Sequence, residues 1–107
     1  MARKRIYDNY EVPKGVVNIV KTVCADYDRR SKGNADENVR ETYLQLNGAI
    51  DTALEEIEAG IRRIILDDVR LGRGYDFSPA SPFLAKNSYY NRKRKFVYDV
   101  ARGLRLI

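Results

Sequence analysis

The side chains best suited to binding chemistry lie close together near the end of the chain, in and just after the run Asn91–Lys95. Arginine and lysine side chains can contact guanine or phosphate, and an asparagine amide can pair with adenine. Tyrosine hydroxyls can also bond to phosphate oxygens. These residue types in one short segment favour contact with DNA. The candidate contacts are Asn91, Arg92, Arg94, Lys95, Tyr98 and Arg102.

A helix over residues 88–104 is predicted to position these side chains, with Ser88 or Asn87 as its cap. Residues placed at 100° steps separate into an apolar arc and a polar arc. The apolar arc, which should anchor the helix, contains Tyr89, Tyr90, Phe96, Val97, Val100, Ala101 and Leu104. Lys93 and Arg94 lie nearer the apolar arc, so their charged ends should reach outward from its edges.

A basic helix face has several possible uses, and the residues alone leave them open. It could bind DNA, bind RNA or nucleic acid non-specifically, meet an acidic protein surface, or simply be solvated. The basic residues are concentrated in the N-terminal half of the helix, the part of a recognition helix that lies nearest the base edges. That placement favours DNA.

Charge is distributed unevenly along the chain, whose net charge is +5. Residues 1–34 carry a balance of +4, residues 35–72 a balance of −5, and residues 73–107 a balance of +6. A polyanion would therefore be attracted to the two ends. The segment 1–11 is predicted to be a flexible basic arm, in which Arg3, Lys4 and Arg5 could reach a groove or phosphates. A solubilising terminus without a binding role is the simpler interpretation of this segment.

Composition excludes several classes of function. The chain has no histidine, which removes most general-base, triad and zinc chemistry, and it shows no phosphate-binding glycine loop. We therefore expect no enzymatic activity, no cofactor and no metal. The single cysteine, Cys24, is expected in the core, and the lack of a disulfide framework indicates the reducing cytoplasm. No apolar run approaches the length of a membrane span.

The rest of the sequence predicts an all-α bundle in a single domain over residues 12–107. Helices are expected at about 14–30 and 35–71, with a short helical turn near 82–86 before the final helix. Asn34 should cap the second helix, and Gly72 with Gly74 should end it. Its long apolar stripe also leaves open a homodimer formed through this helix. Three apolar residues, Phe77, Phe83 and Leu84, are expected to pack beneath the last helix.

The final segment resembles a known family of phage proteins. Its residues read S-Y-Y-N-R-K-R-K-F from Ser88, with Val100-Ala101 and then G-L-R-L-I from Gly103. This pattern resembles the C-terminal end of phage late-gene transcriptional regulators of the ArpU/RinA type. The resemblance covers about half of the chain and is specific over some twenty residues.

The resemblance implies a helix-turn-helix similar to that of sigma-factor region 4, binding promoter DNA in the host cytoplasm. Here the motif should be degenerate, because the segment 81–86 is short and flanked by prolines. Host RNA polymerase or another host protein is a possible further partner. The alternative is a small phage-type interaction module whose basic helix binds an acidic surface of a host protein.

Overall fold

A computed structural model describes residues 10–33 and 36–107, which form helices joined by turns. The described part contains no β-strand, and the predicted all-α bundle is confirmed. Single 3-10 turns lie at Ala59–Ile61 and Tyr75–Phe77. The α-helices are α1 (Lys14–Ala25), α2 (Tyr27–Ser31), α3 (Glu37–Glu55), α4 (Arg62–Leu71) and α5 (Lys86–Gly103).

The first predicted helix is interrupted at Asp26, which separates α1 from the short α2. Arg30 of α2 is turned inward and is 7% exposed. Its guanidinium donates to the carbonyl of Val23 and, at 2.7 Å, to the side-chain oxygen of Asn47 on α3. The amide of Asn47 donates in turn to the carbonyl of Tyr27 at 3.1 Å. The break therefore lets α2 dock against α3 through buried polar contacts.

The prediction of one continuous helix over 35–71 is wrong, because α3 ends at Glu55 and α4 begins at Arg62. The Arg62 side chain donates to the carbonyl of Ile57 at 2.7 Å and to that of Glu55 at 3.3 Å. Carbonyls that a longer helix would have satisfied internally are thus bound by a side chain. The break lets α4 pack as a separate helix, mainly against α1.

The predicted cap at the start of α3 and the predicted stop at the end of α4 have different outcomes. Asn34 lies outside the described residues, and the observed cap of α3 is Asp36, which accepts the backbone N–H of Asn38 at 3.5 Å. Gly72 ends α4 as predicted, with a φ of 69° in the left-handed region. The backbone N–H of Arg73 donates to the carbonyl of Asp68 at 2.8 Å, which closes the helix end.

The segment between α4 and α5 is folded by turns, and the helical turn predicted near 82–86 is displaced by two residues. The backbone N–H groups of Phe83 and Leu84 both donate to the carbonyl of Ala80, at 2.9 and 3.1 Å, which makes a single turn and no further helix before α5. The Tyr75 hydroxyl lies 3.0 Å from the carbonyl oxygen of Ser81 and 2.6 Å from that of Leu84. Because α4 ends at Leu71 and α5 begins at Lys86, the connection spans residues 72–85. It is much longer than the three- or four-residue turn of a helix-turn-helix. Among the described residues, no helix directly precedes α5 in that arrangement.

Phe77 and Phe83 were predicted to pack under the last helix, and this is wrong for both. Their exposed fractions are 82% and 77%. The interior of the segment is occupied instead by Ala80, which is fully buried, and by Tyr75 and Leu84, which are packed against the core.

Helix α5 begins at Lys86, two residues earlier than predicted, and no side chain caps its start. Its amphipathic arrangement is confirmed. The buried residues of α5 are Tyr89, Phe96, Val97, Val100 and Ala101. They join one hydrophobic cluster with buried residues of α1, α3 and α4. At its C-terminal end, α5 approaches α3 closely, since a Cβ atom at Gly103 would lie 3.0 Å from that of Ala49.

Cys24 is fully buried in the core, as expected, and burial raises the pKa of its thiol to about 12. Because the thiolate is the reactive form, we expect Cys24 to resist labelling by a thiol reagent at neutral pH. Denaturant should expose it and allow stoichiometric labelling. Rapid labelling of the folded protein would contradict this burial.

The raised pKa of Cys24 also makes the stability of the fold depend on pH. The thiol contributes stability below about pH 9, and this contribution is lost as the pH rises towards 12.

Candidate nucleic-acid interface

Arg92, a predicted DNA contact, is held by an ion pair with Glu58, which lies in the connection between α3 and α4. Two guanidinium nitrogens donate to the Glu58 carboxylate, each at 2.8 Å. A third bond of 3.1 Å joins Arg92 to the carbonyl of Ser88. The Arg92 guanidinium lowers the pKa of Glu58 to about 2. Arg92 is therefore turned towards the acidic middle of the chain and carries a compensated charge.

Lys95 is also compensated, by Asp99 one turn further along α5. Its ammonium donates to the Asp99 carboxylate at 2.7 Å, and this hydrogen bond raises the pKa of Lys95. The same ammonium lies 5.9 Å from the ring centroid of Tyr10. Lys95 thus lies on the predicted polar arc, but its charge is compensated by the Asp99 carboxylate.

The remaining predicted contacts on α5 occupy one side of the helix. At 100° per residue, Arg94, Tyr98, Asn91 and Arg102 fall within a single arc of about 80°. Arg94 and Arg102 are exposed, and Asn91 and Tyr98 are half-buried. Arg102 donates to the Tyr98 hydroxyl at 3.3 Å and stacks over its ring. We call these four residues the α5 face.

The N-terminal segment reaches this face. The ring of Tyr10 meets that of Tyr98 edge-on, with centroids 5.1 Å apart. Sequence reasoning had placed Tyr10 in the arm without a role. The predicted arm contacts, Arg3, Lys4 and Arg5, lie outside the described residues.

A groove of about 460 Å³ runs between the segment before α1 and helix α5. Its walls are formed by Tyr10, Glu11, Val12, Val17, Tyr90, Lys93, Arg94 and Val97. Valine side chains supply the apolar part of its lining, while Lys93 and Arg94 make one side basic. The groove adjoins the α5 face through Arg94.

Lys93 and Lys21 are basic residues near this groove that the sequence did not single out as contacts. Lys93 is half-buried, and burial lowers the pKa of its ammonium. That ammonium donates to the carbonyl of Arg73 at 2.5 Å. Lys21 reaches the same turn from α1, since its Nζ lies 2.9 Å from the position that a Cβ would take on Gly72. The periodicity of a single helix could not predict that Lys21 and Lys93 reach the same turn, because this depends on how α1 packs beside α5.

The described residues include no group of three or more acidic or thiol side chains placed to hold a metal ion. In the same part of the chain, no helix combines the length and apolarity needed to cross a membrane. No protein-family model, characterised protein or solved structure matches this chain. The resemblance to phage regulators therefore stays a prediction, based on the residues of α5.

Proposed function

We propose that this chain binds double-stranded DNA through the α5 face and acts as a transcription regulator of the phage type. The observation that carries the proposal is the division of α5 into two sides. Tyr89, Phe96 and Val100 are buried to at least 99% and fix the helix in the core. The opposite arc presents side chains that can bond to base edges and phosphates.

The ion pairs of Arg92 and Lys95 are compatible with this proposal. The Glu58 side chain is 60% exposed, and exposed ion pairs contribute about 0–1 kcal/mol. A DNA phosphate could therefore replace the Glu58 carboxylate at small cost. This pair would orient Arg92 in the free protein and release it when DNA binds. The Lys95–Asp99 pair is less exposed, at 32% and 24%, and Lys95 could contact a phosphate while it stays beside Asp99.

The position of Tyr10 also supports the proposal. Because its ring contacts Tyr98, the chain before it starts beside the α5 face. An extended chain spans up to about 3.5 Å per residue, so Arg5 could reach roughly 17 Å from that point. The arm could therefore contact a phosphate or groove next to the site bound by α5, as basic arms do in other DNA-binding proteins.

The test is a fluorescence anisotropy titration with labelled duplexes across a range of salt concentrations. We expect the logarithm of the binding constant to fall linearly with the logarithm of salt concentration. Replacing both Arg94 and Arg102 with alanine should reduce the slope by about 2 and the affinity by at least about tenfold. Arg40→Ala, which removes an exposed charge near the start of α3, is the matched control. Selection from random duplexes should enrich one sequence motif.

Failure to bind any duplex at low salt would refute the proposal. A second candidate, docking to a host protein, would then take precedence, since exposed Phe77 and Phe83 favour it. Aromatic residues are enriched at the centres of protein interfaces. Changing both phenylalanines to serine should leave DNA binding intact if the α5 face is the contact surface.

A further inference from the structure

Three potential hydrogen-bond donors converge on the turn Gly72–Gly74, to one side of the α5 face. The Lys21 ammonium approaches Gly72, and that of Lys93 bonds to the carbonyl of Arg73. The Tyr90 hydroxyl lies 3.4 Å from the Cβ position on Gly74. It accepts the backbone N–H of Tyr75 at 3.2 Å, so its own hydrogen can be donated elsewhere. Lys21 lies on α1, whereas Tyr90 and Lys93 lie on α5. Their distance in the sequence does not predict that they meet.

No carboxylate makes a direct ion pair with either ammonium group in the described ranges. The nearby Asp68 is fully buried, and it accepts the Tyr89 hydroxyl at 2.7 Å and lies 3.4 Å from the Arg73 guanidinium. Burial lowers the pKa of Lys93, the Asp68 charge raises it, and the positive charge of Lys21 lowers it. An anion placed between the lysines would relieve the repulsion between them.

The two donors on α5 are held in place by their surroundings. The Lys93 ammonium lies 5.6 Å from the ring centroid of the fully buried Tyr89. Tyr90 is half-buried, and its hydroxyl accepts the backbone N–H of Tyr75. A ligand would therefore meet two donors that are already ordered, which reduces the entropic cost of association. The exposed Lys21 side chain would complete the site from α1.

We propose that Lys21, Tyr90 and Lys93 form a seat for one phosphate group of a nucleic-acid backbone. Phosphate supplies several strong acceptor oxygens and negative charge, which match two ammonium donors and one hydroxyl donor. Tyr90 and Lys93 also line the groove that contains Arg94. The seat is thus continuous with the α5 face, and a duplex on that face could place a backbone phosphate in it. This inference rests on the proposed DNA binding.

The first experiment uses inorganic phosphate as the probe and amide NMR as the readout. We expect saturable shifts of the backbone signals of Gly72, Arg73 and Gly74. Lys21→Gln should weaken this binding at least fivefold. Lys32→Gln, which removes the same charge beyond α2, should not. Equal shifts throughout the protein, or shifts that survive Lys21→Gln unchanged, would overturn the seat.

The second experiment measures duplex DNA binding across salt with the same variants. Lys21→Gln should lower the salt slope by about 1, because one phosphate contact is lost. If DNA binds with an unchanged slope in Lys21→Gln, the seat is refuted while the proposed function stands. If inorganic phosphate binds but duplex DNA does not, the site takes a small phosphate, and both the nucleic-acid assignment and the proposed function fail. Circular dichroism of Lys21→Gln and Lys93→Gln checks that each variant folds.

Discussion

Replacing Tyr89 with phenylalanine should lower the free energy of unfolding by about 2–3 kcal/mol. Both partners of its hydrogen bond to Asp68 are fully buried, and the bond is 2.7 Å long. The second oxygen of Asp68 has no hydrogen-bond partner among the described residues and lies 3.4 Å from Arg73. Without the tyrosine hydroxyl, the buried carboxylate would lose its shortest donor. The cost of an unsatisfied buried group exceeds the net value of an ordinary hydrogen bond.

Urea unfolding followed by circular dichroism measures this effect. Tyr43→Phe is the matched control, since the Tyr43 hydroxyl accepts an exposed bond from Arg29 at 3.0 Å, and its loss should cost less than about 0.5 kcal/mol. Combining Tyr89→Phe with Asp68→Asn should give less than the sum of the single effects, because the two residues share one interaction. A Tyr89→Phe variant as stable as the control would show that Asp68 does not depend on this hydroxyl.

This buried pair also shows what α5 requires beyond hydrophobic packing. Tyr89 belongs to the apolar arc, and that assignment was correct because one side of the helix is packed along its length. Periodicity identifies such a side from sequence alone. The hydroxyl of Tyr89 needed a partner from α4, and the sequence offered no means of choosing Asp68 over its neighbour Asp67. The helix was predictable, but the bond that orients it was not.

The error in the second helix has a related cause. Ile57 is buried and Ile61 is half-buried on either side of the break, so the apolar pattern continues across it. The end of α3 is closed by short backbone turns and by the bonds from Arg62 to the carbonyls of Glu55 and Ile57. None of these bonds is visible in the spacing of the apolar residues. Gly60 also falls within this apolar stripe, between Ile57 and Ile61. A lone glycine, however, lowers helix stability by only about 1 kcal/mol and does not require a break.

The sequence predicted which residues form the candidate site better than it predicted the contacts that those residues make. Asn91, Tyr98 and Arg102 of the α5 face follow from the helical arcs, whereas Arg94 was predicted nearer the apolar arc and is exposed in the structure. The pairing of Arg92 with Glu58 depends on the break after α3, which places Glu58 in a connection instead of on a helix. The positions of Lys21 and Phe83 likewise depend on packing between elements. Residue-level patterns carry no information about such contacts.

The second large effect is expected from Glu58→Gln, which should raise affinity for duplex DNA roughly five- to tenfold at moderate salt. This change removes a negative charge beside α5 and weakens the hold on the Arg92 guanidinium, because the amide keeps only one of the two oxygens that accept its 2.8 Å bonds. In the unmodified protein, the Glu58 carboxylate takes up a cation from solution when Arg92 moves to a phosphate. The neutral amide does not, so the salt slope should become steeper by up to about 1. Lowering the pH would not reproduce the change in an ordinary assay, because Glu58 stays ionised down to about pH 2.

The control for this experiment is Glu41→Gln, which removes one exposed negative charge near the start of α3. It should raise affinity less, since its charge lies beyond the end of α5 and is screened by salt. Adding Arg92→Ala to Glu58→Gln should cancel most of the gain, because the released cation is then missing. A gain equal to that of Glu41→Gln would mean that net charge alone is responsible. A gain that survives Arg92→Ala would mean that Arg92 does not contact DNA and that Glu58 acts by repelling the phosphates directly.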